Sequence, residues 1–352
     1  DEATNTLTCP SFRQDLLSRA DIAEEVARFY GYDRIPMTLP RGEATMGKRP
    51  FKLEVENIAA RVARYCGFSQ GMCYSFESPR VFDKLCVPEG DKLRDAIKIQ
   101  NPLGEDFSIM RTTSLNGMLT SLSTNYNRRN RNVRLYEIAN VYIPEKLPLD
   151  KLPDERSTFT LGMYGDGDFF TMKGVLAQIF GELGMTGLCE YDPREKKPYL
   201  HPGRQADIKY EGETIGYIGE VHPAVLDNYE IGMRVYVAVL DMPAVLPFVT
   251  FDRKYEGIAK FPAVSRDLSM VVPVGVTAGD IEKMINQRGG KLLENLKLFD
   301  IYEGDQIKDG FKSMAYSLSF RAKDRTLGED DVNGAMKKIL NGLETLQIEL
   351  RS

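Results

Sequence analysis

Apolar positions first recur at helical spacing. Ile22, Val26 and Phe29 lie three to four residues apart and predict a helix from Asp21 to Gly31. A second stripe, Val55, Ile58, Ala59, Val62, Tyr65 and Cys66, predicts an amphipathic helix over 51–67 that Gly67 closes. The pattern then shortens to strand-like runs at 97–100, 133–138, 158–164, 206–210, 215–219 and 235–240, with helical patterns at 115–127, 171–183 and 223–229 between them. Short alternating strands without a regular βαβ rhythm imply a mostly antiparallel sheet flanked by helices, an α+β domain. Pro243 and Pro247, just past the last of these strands, mark a domain exit.

The last hundred residues repeat the exercise more compactly. The order is strand 267–272, helix 277–287, strand 296–302, strand 311–321, helix 329–340 and strand 346–350, the βαββαβ of a ferredoxin-like unit. Alternation assigns the faces. Leu268, Met270, Val272, Tyr316, Leu318, Phe320, Leu346, Ile348 and Leu350 face the two helices. The uncovered side then shows Ser269, Ser317, Ser319 and Arg321, edged by Lys260, Arg266, Lys323 and Arg325. A polar sheet face rimmed with cations is the shape of a single-stranded RNA platform, and ion pairing of Arg321 or Arg325 with Asp267 or Asp324 is the structural alternative.

Composition narrows the class. The 352 residues exceed one hydrophobic core and imply two or three domains. No apolar run reaches the roughly 18 residues of a membrane helix, and the start, without Met or an apolar leader, reads as internal to a longer cytoplasmic chain. Five Cys without a CxxC, and only two His, argue against disulfides and zinc. A net charge of −5 argues against bulk nucleic-acid binding, but it resides entirely before Phe251, because the remainder balances 16 basic against 16 acidic residues. Any RNA contact is therefore expected near the C-terminus.

Candidate chemistry is concentrated at the start. Asp15, Asp21, Glu24 and Glu25 lie on or just before the first turn of the first predicted helix. With Asp21 as N-cap and Glu24 three residues on, they form a capping box; converging, they form an oxygen-only site for Mg²⁺. Two carboxylates about 5 Å apart repel by roughly 3 kcal/mol at an effective dielectric near 20, which a hard cation relieves. Elsewhere the chain lacks GxSxG, Walker A and HExxH motifs, and both His sit in His-Pro pairs (His201, His222) expected at turns or helix starts. Arg128, Arg129, Arg131 and Arg134 read as a solvated loop before a strand, and Asp166-Gly167-Asp168 as a turn.

The run PSFRQDLLSRADIAEEVARFYGYDRIP resembles the end of the B5 domain in the beta subunit of bacterial phenylalanyl-tRNA synthetase, with Phe12 where Trp is usual. NPLGEDFSIMRTTSLNGML, LYEIANVY, LHPGRQADI, IGYIGEVHP and FPAVSRDLSMVV continue the resemblance in family order over essentially the whole chain. Residues 109–142 are similar to the ATP-binding strand-loop-strand of class II synthetases, with Glu137-Ile138-Ala139 in place of the usual EIG.

The resemblance implies the end of a B5-type domain at 1–42, a class II synthetase-like antiparallel core without catalytic residues at 43–247, and a ferredoxin-fold anticodon-binding domain at 248–352. It implies Mg²⁺ on Asp15, Asp21, Glu24 and Glu25, shared with a catalytic alpha subunit that binds ATP. It also implies two alpha and two beta chains, tRNA-Phe as partner, no membrane or DNA, and no editing segment here. An autonomous class II-type ligase and a protein-only assembly module are the competing expectations.

Overall fold

The computed structural model describes residues 1–352 except Asn5, Leu188, Glu256, Asp305, Gln306 and Ser352. It divides into two compact units, Asp1–Arg49 and Pro50–Ser352. The first contains α1 (Arg19–Tyr30), and none of its described residues is buried. The N-cap is Ser18, with Asp21 at the third helical position, so Asp21 is not the expected cap. It instead accepts from the Leu17 and Ser18 amides at 2.9 and 2.6 Å and closes the box from inside.

In the second unit the chain runs through α2 (Phe51–Tyr65), β1 (Ser69–Gln70), β2 (Phe76–Glu77), α3 (Val81–Lys84), β3 (Ile109–Met110), α4 (Leu115–Asn127), β4 (Val133–Ile143) and β5 (Asp154–Tyr164). It continues through α5 (Phe169–Glu182), β6 (Cys189–Asp192), β7 (Leu200–Tyr210), β8 (Glu213–Val221), α6 (Pro223–Asn228), β9 (Val235–Asp241) and α7 (Met242–Val245). Seven strands form one sheet in the order β1-β4-β5-β9-β8-β7-β6, antiparallel except for β1 beside β4.

Both faces of this sheet are covered, and β9 shows how. Tyr236, Ala238 and Leu240 pack under α2 and α5, whereas Val235, Val237 and Val239 pack under α4 and the 81–87 segment. A strand buried on both sides reads as a continuous apolar run, as Val235-Tyr-Val-Ala-Val-Leu does. Gly162 on β5 lets α4 lie close, since a Cβ there would stand 2.7 Å from Met118 Cγ.

The last part consists of β10 (Val264–Pro273), α8 (Ala278–Gly289), β11 (Leu293–Tyr302), β12 (Phe311–Phe320), α9 (Glu329–Glu344) and β13 (Glu349–Leu350). The strand order β11-β12-β10-β13 is the ferredoxin-like arrangement expected from the alternation. Leu268, Met270, Val272, Tyr316, Leu318 and Phe320 meet Ile281, Ile285, Val332 and Ile339 in a core of their own. Ion pairs Lys283–Glu190 at 3.1 Å and Arg194–Asp280 at 3.3 Å tie this sheet-and-helix layer to β6 and its following turn.

Three expectations change. Residues 97–100 make only a single bridge, Lys98 to Ile109, because Pro102 and Gly104 break the run before a ladder can extend. Tyr65 is exposed rather than on the packed stripe, since α2 has by then reached its last turn beyond the cover of the sheet. Leu350 is exposed as well, on a two-residue edge strand paired on one side only.

Candidate functional site

The four N-terminal acids are not gathered. Arg13 lies between two of them, its guanidinium 2.6 Å from Asp15 and 2.7 Å from Glu25, and Arg28 takes the other oxygen of Glu25 at 2.5 Å. These guanidiniums hold the carboxyls of Asp15 and Glu25 at about 2, well below the usual range. Asp21 is lowered too, by its bonds to the helix N-terminus, and Glu24 points into solvent. Among the described residues no three His, Cys, Asp or Glu side chains stand together as a metal site. Three of the four carboxyls already have cationic or amide donors, so this arrangement does not fit Mg²⁺.

The open side of the second sheet is built by register. Across β10, β12 and β11, Ser265 pairs with Ser319 and Asn295, Asp267 with Ser317 and Lys297, and Ser269 with Ala315 and Asp300. The helices cover only the other side, so this side is a flat surface of small hydroxyls. Lys297, exposed at its centre, and Tyr302, opposite Ser313, went unassigned in the sequence because β11 was expected to start at Leu296 without a face. Arg351 reaches Ser313 Oγ at 3.2 Å from beyond β13. The signal was available: three strands of known order fix the third strand's face once two are assigned.

The expected cations fare unevenly. Arg321 does extend the β12 face, but it donates to Glu294 at 2.9 Å and to the Phe261 carbonyl at 2.6 Å. Arg325 bonds Asp331 at 2.8 Å, at the start of α9, and Asp324 lies 3.8 Å away. Arg266 sits opposite Leu318 on the helix-facing side by parity and donates to its neighbour's carbonyl, Ser265 O. Lys260 and Lys323 are exposed on the flanking loops. The serines, not the arginines, are presented as the alternation required.

The seven-stranded unit carries polar groups of a different kind, all unforeseen. Arg111 is wholly buried and bonds Glu137 at 3.3 Å and the Asn140 carbonyl at 2.7 Å, while the Cys73 amide donates to the same Glu137 oxygen at 2.9 Å. Glu137 is the acid of the EIA triplet, so its role here is to neutralise a buried guanidinium. Glu77, on β2, accepts from Asn116 at 2.8 Å, and Asn116 accepts from Tyr229 at 2.7 Å. Burial pushes the Glu77 carboxyl up to about 7.

The remaining candidates are structural. His222 caps α6 ahead of Pro223 as expected, whereas His201 lies in an irregularity of β7 and accepts from Gly203. Arg128, Arg129 and Arg131 are exposed, but Arg134 belongs to β4 and pairs with Asp166 at 3.1 Å. Asp168 caps α5 through Thr171 at 2.8 Å. Among the described residues no helix is long and apolar enough to cross a membrane.

Three family models match the chain. They are the tRNA synthetase B5 domain over residues 1–32, the phenylalanyl tRNA synthetase beta chain CLM domain over 35–242 and the ferredoxin-fold anticodon binding domain over 259–351. A phenylalanine–tRNA ligase beta subunit of Clostridium tetani is 42% identical over 99% of this chain and 44% of its own length. One of Clostridium acetobutylicum is 41% identical over 97% and 43%. The chain thus spans less than half the length of these curated relatives. The pyrrolysyl-tRNA synthetase structure from Desulfitobacterium hafniense aligns over 70% of this chain and 83% of its own at a TM-score of 0.46 and 12% identity, a likeness too slight to weigh. With the CLM model alone matching more than half of its residues, this chain belongs to the phenylalanyl-tRNA synthetase beta-chain family.

Proposed function

We infer that the chain is the C-terminal part of the non-catalytic beta subunit of a phenylalanine–tRNA ligase. In this reading residues 1–42 end a B5-type domain, 43–247 form a class II-like core that scaffolds the catalytic alpha subunit, and 248–352 bind the anticodon region of tRNA-Phe. ATP and Mg²⁺ belong to the reaction on the alpha chain, and the assembly is cytoplasmic with two copies of each subunit.

The observation that carries the reading is the uncovered serine face of the second sheet, with Lys297 and Tyr302 standing on it. Phosphates are positioned by cations, unpaired bases stack on aromatic rings, and small hydroxyls meet base edges without steric conflict. The core supports the other half by what fills it. Its buried Arg and Glu neutralise each other, and none of them stands beside a nucleophile or base pair of the kind acyl activation requires.

Two measurements test this. Phenylalanine-dependent ATP–pyrophosphate exchange is expected to be absent with this chain alone and raised when it is added to the alpha subunit; exchange by the chain alone would make it an autonomous ligase. Binding of tRNA-Phe is expected to weaken steeply with salt. A protein-only assembly role is favoured instead by the ion pairing of Arg321 and Arg325, and tRNA binding that does not change with salt or with loss of Lys297 would select it.

A further inference from the structure

Outside the serine face, one feature of the fold has the makings of a binding site. A cleft of about 460 Å³ opens between α4 and the segment from Met72 to Lys84, within the size range of small-molecule sites. Gly117 brings α4 this close, because a Cβ there would lie 2.7 Å from that of Cys73. The walls include Tyr74 and Phe107, edge to face with centroids 5.6 Å apart, and Phe76. Tyr74 is largely exposed, so the aromatic wall is reachable from solvent.

Deep in this wall sits Glu77, 5% exposed. One of its oxygens accepts from Asn116, and Asn116 in turn is fixed by Tyr229. The other oxygen, Oε2, is buried and has no hydrogen-bond partner among the described residues. The nearby cation does not serve it, since Arg111 is spent on Glu137, the Asn140 carbonyl and the Tyr74 carbonyl. On the rim Arg80 is paired with Glu105 at 3.1 Å, and Lys84 lies over the Tyr229 ring. A buried acceptor held in place on one side and unserved on the other costs free energy until a donor reaches it.

We propose that this cleft binds a small organic amine with an aromatic or branched apolar body, its N–H donated to Glu77 and its body packed on Tyr74, Phe76 and Phe107. The chemistry selects the ligand class. An anion would meet the Glu77 carboxyl, and a neutral hydrocarbon would leave Oε2 unserved. An ammonium satisfies the oxygen by a charge-assisted bond and is favoured again by the neighbouring ring faces. The polar floor and apolar walls thereby divide the ligand into its two halves.

The test uses the whole chain and three probes of similar shape, 2-phenylethylamine, 3-phenylpropionate and phenylalanine, followed by calorimetric titration. Saturable binding of 2-phenylethylamine and none of 3-phenylpropionate is expected. Glu77→Gln, close in shape, is expected to weaken the amine about tenfold, the factor for one charge-assisted bond. Thr120→Trp, placed on the exposed side of α4 where Thr120 lines the cleft, closes it without touching the core and is expected to abolish binding. Phenylalanine binding as tightly as the amine would extend the ligand class to free amino acids, and exclusion of phenylalanine would confine it to plain amines; either supports the site. Absence of amine binding, unchanged binding in Glu77→Gln, or equal binding of the acid would overturn the proposal.

Discussion

The two sheets of this molecule dispose of their polar residues in opposite ways. The seven-stranded sheet is covered on both faces, so every polar group in its interior must find a partner inside the protein, and Arg111 with Glu137 is the result. The four-stranded sheet is covered on one face, and its serines remain on the other, answerable to whatever docks there. Interior polar groups therefore report on how the first sheet is held together, and surface ones on what the second can meet. A sheet closed on both sides has lost the open floor on which a class II enzyme works, whatever motifs persist in its strands.

The sharpest way to break this contrast is to open the interior pair. Arg111→Met should leave Glu137 as an uncompensated buried acid and lower the unfolding free energy by about 3–5 kcal/mol, measured by urea denaturation. Arg111→Met with Glu137→Leu should recover most of that loss, because the apolar pair leaves no charge behind. If the single variant loses less than about 1 kcal/mol, the pair is solvated after all and the two sheets differ less than their burial suggests.

Glu77 gives the next effect, through pH. Its carboxyl titrates near 7 in the folded chain and near 4.5 when unfolded, so between these values the folded state holds a proton that the unfolded state releases. Stability accordingly falls as pH rises from 4.5 to 7, by about 3 kcal/mol if the whole shift is realised, and levels off above. Glu77→Gln should remove this slope and exceed the parent in melting temperature at pH 8, while nearly matching it at pH 4. A parent whose stability is flat over the same window would place the carboxyl in contact with solvent.

How far the sequence could be read follows the same division. In the second sheet period-two alternation acts on one buried face, so Leu268, Met270 and Val272 could be told from Ser269 by position alone, and the strand order followed from βαββαβ. In the first sheet both faces are apolar, the alternation vanishes, and the order β1-β4-β5-β9-β8-β7-β6 was unreadable. Arg111 and Glu77 were missed because burial of a charged residue depends on distant strands, and Met-Arg-Thr or Phe-Glu-Ser looks locally like any loop. The acids at the start were legible as a cluster but not as to partner, since Arg13, two residues before Asp15, competes for the same oxygens.

The smallest expected effect tests the open face itself. Lys297 stands among serines, between Asp267 and the edge of the sheet, whereas Arg325 holds Asp331 at the start of α9. If the face tracks an RNA backbone, Lys297→Ala should reduce the magnitude of the slope of log affinity against log salt by about 1, with tRNA-Phe and with an unrelated tRNA alike. Arg325→Ala should leave the slope alone and act on the α9 terminus instead, by up to about 1 kcal/mol of stability. Both variants keep the core intact, so folding cannot account for a difference between them. A slope that follows Arg325 and ignores Lys297 would move the nucleic-acid surface off the sheet and onto the loop before α9. The covered and uncovered sheets would then share one trait, that neither offers its strands to a ligand, and the serines would stand as plain solvent-facing polarity.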